Sequence, residues 1–409
     1  MFFKEFWQKN YKKILPILTL MLLLLAGHFV FPKTKKIEQQ SLINQKEPAP
    51  SKTQTSQKED VQDKTLKEQI GQMLILGFRG TQFQENSFIN KAIKELKIGG
   101  IILFDTDVPS GIFPRNIISP EQTKKLIADL QKNSTTPLLI SIDVEGGFVN
   151  RLKPKYGFIN IPSAQKMGQG TPGQTLQIAK DLGKQLSDLG INFDFAPVVD
   201  LNLNPQNPII GNIERSFGDD PTAVSAQAES FINGLNEYKI ITSLKHFPGH
   251  GSSQTDSHFG IADITATFQA KELIPFQLLI KKGLAPTIMV GHLFNRNLDQ
   301  NYPATLSYNI IQKTLKELLH FQGVVVCDDL SMGAITQNFG PSQAVIKMAE
   351  AGCNLIIISN NVNSYDEALP YQASEAIFQA VKSGEIATSS IEESYNKIIK
   401  LKKDFAIIK

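Results

Sequence analysis

The chain has little cysteine, only Cys327 and Cys353 among 409 residues. That excludes a scaffold held by many disulfides and any cysteine-rich zinc module. Each cysteine sits in or beside an apolar run, so the pair reads as two small core residues, with a disulfide as the alternative. Net charge is scarce as well. Residues 1–65 hold eleven lysines against six acids, which leaves 31 basic and 33 acidic residues over 66–409. The formal +3 of the whole chain therefore belongs to its first segment. The remainder gives no composition-based case for a nucleic-acid surface. No short internal repeat is present, and 41% hydrophobic with 20% charged residues is a globular composition.

The first segment lacks a small-x-small cleavage site and a cysteine that could accept a lipid. What it has is "ILPILTLMLLLLAGHFVF" from Ile14 to Phe31, preceded by Lys4, Lys9, Lys12 and Lys13. An apolar run of this length can cross a bilayer. Residues 1–31 therefore read as a cytoplasmic flank and an uncleaved, single-pass transmembrane anchor. Lys33, Lys35 and Lys36 follow closely, so the flanking charge is nearly balanced. A short N-terminal flank that stays inside would export the long C-terminal part. Residues 32–65, with "EPAPSKTQTSQKED" at their centre, lack the apolar residues for a core and read as a flexible tether.

Over 66–409 eight short apolar runs recur. They are "GQMLILGF", "IGGIILF", "PLLISID", "INFDFAPVVDL", "IITSLKHF", "PTIMVGHL", "GVVVCDD" and "NLIIISNN". Such runs suit strands buried on both faces, as in a parallel sheet. Helical spacing fills the gaps: after Asp219-Asp220-Pro221, apolar residues recur at Val224, Ala228, Phe231, Ile232 and Leu235. Eight alternations in one domain predict an α/β (β/α)8 barrel of the TIM type, with a doubly wound open sheet as the alternative. Most runs end in ionisable residues: Asp143, Asp200, Lys245-His246, His292 and Asp328-Asp329. Barrel active sites are built at that end of the strands.

Histidine is also sparse, yet three of the six fall within "KHFPGHGSSQTDSH" from Lys245 to His258. A metal site would use His246, His250, His258 and Asp256. However, Pro248-Gly249 breaks the helix that would bring imidazoles at i and i+4 to one face. No metal is expected. A catalytic loop suits the stretch better, with Gly249 and Gly251 allowing bends and Asp256 able to orient the imidazole of His258. On spacing alone, a solvated Asp-Ser-His loop is an equal reading.

The run "KHFPGHG" followed by "DSH" resembles glycoside hydrolase family 3, specifically its bacterial β-N-acetylglucosaminidases. Four further blocks appear in the family's order: "IDVEGGFVNRL", "FDFAPVVDLN", "ERSFGDDP" and "GVVVCDDLSMGAI". The resemblance implies a retaining glycosidase, with Asp328 as nucleophile, His258 as acid/base and Asp256 as its orienting partner. Asp329 is the alternative nucleophile. The resemblance also implies sugar contacts from Asp143, Arg151, Arg215, Lys245 and His246, with no cofactor. Val144 and Phe148 depart from residues commonly polar in the family, and "NIE" before Arg215 lengthens that segment.

The function this implies is exo-removal of terminal β-linked N-acetylglucosamine from peptidoglycan fragments. The catalytic domain would be monomeric, tethered to the cytoplasmic membrane and exposed to the periplasm or cell exterior. Two other readings remain open at this level. One is a family 3 β-glucosidase or β-xylosidase, and the other is a catalytically silent, membrane-tethered wall-binding protein.

Overall fold

The computed structural model describes residues 52–362 and 364–409. The apolar run of residues 14–31 and most of the tether lie outside them. Among the described residues, no helix is long and apolar enough to cross a membrane.

All eight apolar runs become strands of one sheet. They are β1 (Leu74–Gly77), β2 (Gly100–Ile102), β3 (Leu139–Ile142), β4 (Phe193–Asp194), β5 (Ile241–Phe247), β6 (Thr287–Val290), β7 (Val324–Cys327) and β8 (Leu355–Ile358). Every neighbouring pair is parallel, and the sheet closes where β1 pairs with both β2 and β8. Closure decides against the open sheet. The strands are buried along their whole length because their inner faces fill the barrel and their outer faces meet helices.

Sequence signals set the helices between them. Asp220 caps the helix Pro221–Asn236 by accepting a hydrogen bond from Ala223 N at 2.8 Å, with Pro221 at the first position. Thr171 and Gln174 form a capping box that starts Pro172–Leu189.

Two expectations change. The tether is shorter than its composition suggests, because a helix runs from Lys52 to Gln72. No proline or glycine interrupts residues 52–70, and Leu66 and Ile70 near its end bury against the barrel. Cys327 and Cys353 are also not free. They are joined in a disulfide with Cα atoms 5.7 Å apart, and both are fully buried, so the core placement holds while the free thiols do not.

Arg115 ties the barrel seam together. It is fully buried and donates to Phe78 O, Ser359 O and Asn360 O, besides pairing with Asp107. One guanidinium thus satisfies carbonyls that follow β1 and β8, at the end of the barrel where the ionisable residues collect.

Candidate active site

The strand ends do converge. Asp143 follows β3, Lys245 and His246 lie within β5, and Asp328 follows β7. Lys245 Nζ lies 2.9 Å from Asp143 Oδ1 and 2.6 Å from Glu145 Oε1. Arg215, from the long loop after β4, reaches the same carboxylate, with Nε 2.7 Å from Glu145 Oε2 and Nη2 2.8 Å from Oε1. The lengthened "NIE" segment therefore still delivers Arg215 to the site.

Burial opposes each of these charges, but mutual pairing outweighs it. The Glu145 carboxyl is held well below its usual range by Arg215 and Lys245, and both cations are raised by the carboxylates around them. Arg151 differs from its neighbours. It is half-buried over the Phe104 ring, and its buried Nε has no hydrogen-bond partner among the described residues.

His246 has both ring nitrogens engaged. Nδ1 is 2.7 Å from Asp200 Oδ2, and Nε2 is 3.1 Å from Arg215 Nη2. Because the guanidinium can only donate, Nε2 accepts and Nδ1–H donates to Asp200. His246 thereby orients Arg215 instead of pointing a free nitrogen outward. The His250 ring lies 5.8 Å from it, edge-on, but its nitrogens face Ser253 Oγ at 2.7 Å and Ser257 Oγ at 3.2 Å. Among the described residues, no group of three or more metal-ligating side chains is arranged to hold an ion.

His250 instead braces the loop. Its backbone N–H donates to Asp200 Oδ1 at 2.8 Å, and Asn207 Nδ2 donates to its carbonyl at 2.7 Å. Burial, with His246 nearby, pushes its pKa down to about 4. Gly249 adopts φ +139°, and a Cβ on Gly251 would lie 1.6 Å from Leu201 O. These glycines let the chain press against its neighbours. The bends that Gly249 and Gly251 allow thus shape a buried, hydrogen-bonded neck over Phe247–Gly251.

Beyond the neck the tip emerges. His258 Nδ1 lies 2.7 Å from Asp256 Oδ1, and His258 N–H donates to the same oxygen at 2.8 Å. The carboxylate thus fixes the tautomer and leaves Nε2 free on a half-exposed ring. Burial works against the Asp256 charge, but the bonds from His258 lower its pKa. The tip rests on the segment after β7: Gly333 N–H donates to His258 O at 3.0 Å, and Gln337 Nε2 to Phe259 O at 2.9 Å.

That segment begins with the two aspartates, which differ in what occupies them. Asp329 accepts from Ser331 N and Ser359 N, at 3.0 and 2.9 Å, and also pairs with Ser359 Oγ. Burial raises its pKa. Among the described residues Asp328 accepts only from Asp329 N, at 2.8 Å, so one carboxylate oxygen is uncommitted. Burial disfavours its charge, yet His292 and His246, with His258 contributing, keep the pKa below the usual range. Asp328 thus offers an ionised carboxylate with an uncommitted oxygen and the loop tip an imidazole with a free nitrogen, the two groups that nucleophilic attack with proton transfer requires.

Sequence reasoning missed Glu145, the anion under both Arg215 and Lys245, although it stands two residues from Asp143. It also missed Asp194, which is fully buried with Oδ2 unpartnered and its pKa driven well up by burial.

Comparison with known proteins agrees with this geometry. Residues 65–401 match the Glycosyl hydrolase family 3 N terminal domain. The chain is 32% identical over 357 residues to Beta-hexosaminidase LpqI of Mycobacterium tuberculosis, covering 82% of each protein. It is 31% identical over 333 residues to Beta-hexosaminidase A of Pseudoalteromonas piscicida, covering 77% of this chain but only 54% of that protein. The chain thus spans about half the length of the latter relative. A solved structure, the family 3 beta-N-acetylglucosaminidase of Paenibacillus sp. str. FPU-7, superposes with a TM-score of 0.76 at 34% identity. That match covers 84% of this chain and 63% of the Paenibacillus chain. With nearly the whole barrel matched, the chain belongs to glycosyl hydrolase family 3.

Proposed function

We propose that this protein is a retaining exo-β-N-acetylglucosaminidase that releases terminal, non-reducing N-acetylglucosamine from peptidoglycan fragments. The observation that carries the reading is the Asp256–His258 pair, held over the segment that begins at Asp328. In the first step an Asp328 oxygen attacks the anomeric carbon while His258, entering as the imidazolium paired with Asp256, gives its Nε2 proton to the glycosidic oxygen and is left neutral. The leaving group departs as an alcohol, and a glycosyl ester remains on Asp328. In the second step Nε2 takes a proton from water, and the water oxygen displaces the carboxylate. The sugar leaves with its original anomeric configuration, and His258 has its proton back.

Asp143 accepts from sugar hydroxyls, while Arg151, Arg215 and Lys245 donate. His246 acts through Arg215. Side chains and water supply every group in this scheme. The names of the relatives support the N-acetylglucosaminide, and the apolar run of residues 14–31 supports a membrane-tethered protein facing wall material outside the cytoplasm. The buried Cys327–Cys353 disulfide fits an oxidising compartment.

The deciding experiment follows an aryl β-N-acetylglucosaminide by NMR. Wild-type protein releases the β-anomer first, and Asp328→Asn keeps its circular dichroism spectrum but loses turnover. First release of the α-anomer, or an active Asp328→Asn protein, overturns the mechanism.

A further inference from the structure

We infer that Phe259 is the platform on which the leaving group stacks, making the tip of the acid/base loop also the leaving-group subsite. This rests on the proposed role of His258. Protonating the glycosidic oxygen requires His258 Nε2 within hydrogen-bond distance of it, about 3 Å. The first ring of the leaving group is attached to that oxygen, so it must lie against whatever surrounds the exposed edge of His258. The next residue in the chain is Phe259, whose large apolar side chain is 74% exposed.

A lone exposed phenylalanine is ordinary on a protein surface. What sets this one apart is that its backbone is fixed. Phe259 N–H donates to Asp256 O at 3.2 Å, and its carbonyl accepts from Gln337 Nε2 at 2.9 Å. The preceding carbonyl accepts from Gly333 N. A Cβ on Gly333 would lie 2.6 Å from His258 O and 3.0 Å from Phe259 C, so glycine there permits the close seating. The backbone that carries both the catalytic imidazole and the phenyl ring is thus seated on Gly333, five residues beyond Asp328. A rigid aromatic loses little conformational freedom when a ring stacks on it, and the apolar face of a pyranose or an aryl group is the matching surface.

The ligand class is therefore a ring-bearing leaving group, either a second sugar or an aryl alcohol. An N-acetylglucosaminyl fluoride carries the same sugar and forms the same glycosyl-enzyme but has no ring to stack. Phe259→Ala is expected to cut kcat/KM for N,N′-diacetylchitobiose about tenfold, mainly through KM, and to leave fluoride hydrolysis at the wild-type rate. Phe259→Trp is expected to restore the disaccharide. Equal loss on both substrates would mean that Phe259 merely positions His258, because fluoride turnover still needs the base in its second step. No loss on the disaccharide would also overturn the proposal. Failure of the parent reading looks different: wild-type protein would cleave neither substrate.

Discussion

Glu145 and Arg215 meet fork to fork, with both contacts under 2.9 Å and both side chains buried. Lys245 reaches the same carboxylate, at the oxygen that Arg215 Nη2 also contacts. One anion thereby positions two cations that the proposed function assigns to the sugar.

Replacing Glu145 with Gln removes that anion while keeping its shape. Breaking a buried ion pair on one side typically costs about 3–5 kcal/mol, because the remaining charge is left without a partner. The expected outcome is a loss of stability of that order in denaturant titration, together with a fall in kcat/KM. A variant as stable as wild type would mean that Asp143 alone can compensate Lys245 and Arg215.

Among the described residues the Asp256 carboxylate bonds only to His258, through its ring and its backbone N–H. In Asp256→Asn an amide replaces the carboxylate, and His258 Nδ1–H can still be accepted, but the charge beside the ring is gone. General acid–base assistance is commonly worth about 100- to 10,000-fold. kcat should drop within that range on a substrate with a poor leaving group. It should drop less on a dinitrophenyl glycoside, whose leaving group needs little protonation. Equal losses on both would count against proton transfer by this dyad.

These two predictions draw on different amounts of sequence information. Asp328, Asp256 and His258 can be proposed from sequence because the resemblance that implies them rests on short, ordered motifs. Eight continuous apolar runs likewise announced the barrel, since a strand buried on both faces cannot alternate. Glu145 was not legible: a carboxylate beside two glycines carries no mark of its partners until the fold brings in Arg215, 70 residues later. His250 was misleading for the opposite reason. It looked like chemistry, and only its contacts with Ser253 and Ser257 show it to be a brace.

That brace gives a pH dependence. The folded-state pKa of His250 lies near 4, below its ordinary 6.5, so the unfolded chain binds the extra proton between those values. Stability contributed by the neutral ring is present above about 6.5 and is lost as pH falls toward 4. His250→Gln should flatten this part of a stability-against-pH curve measured by urea denaturation.

Lys402 has a consequence of the same sign at higher pH. It is fully buried, its ammonium lies 2.8 Å from Gln72 Oε1, and burial pulls its pKa from 10.5 to about 7. Between those values the unfolded state holds a proton that the folded state has released. Stability therefore rises as pH increases from about 7 toward 10.5. Lys402→Met should remove that rise, which denaturation at pH 7, 8 and 9 would read directly.

The disulfide offers a test of compartment that does not depend on activity. Cys327 immediately precedes Asp328, and its partner Cys353 lies 26 residues on, just before β8. Closing a loop of that size removes unfolded-state entropy worth roughly 3 kcal/mol. Such a bond persists where thiols are oxidised and is reduced in most cytosols. Protein taken from cells under denaturing, acid-quenched conditions should therefore show no alkylatable thiol if the barrel faces the cell exterior. After reduction it should show two, with a lower urea midpoint. Two reactive thiols before reduction would place the barrel on the cytoplasmic side, and its substrate would then be wall fragments already taken up by the cell.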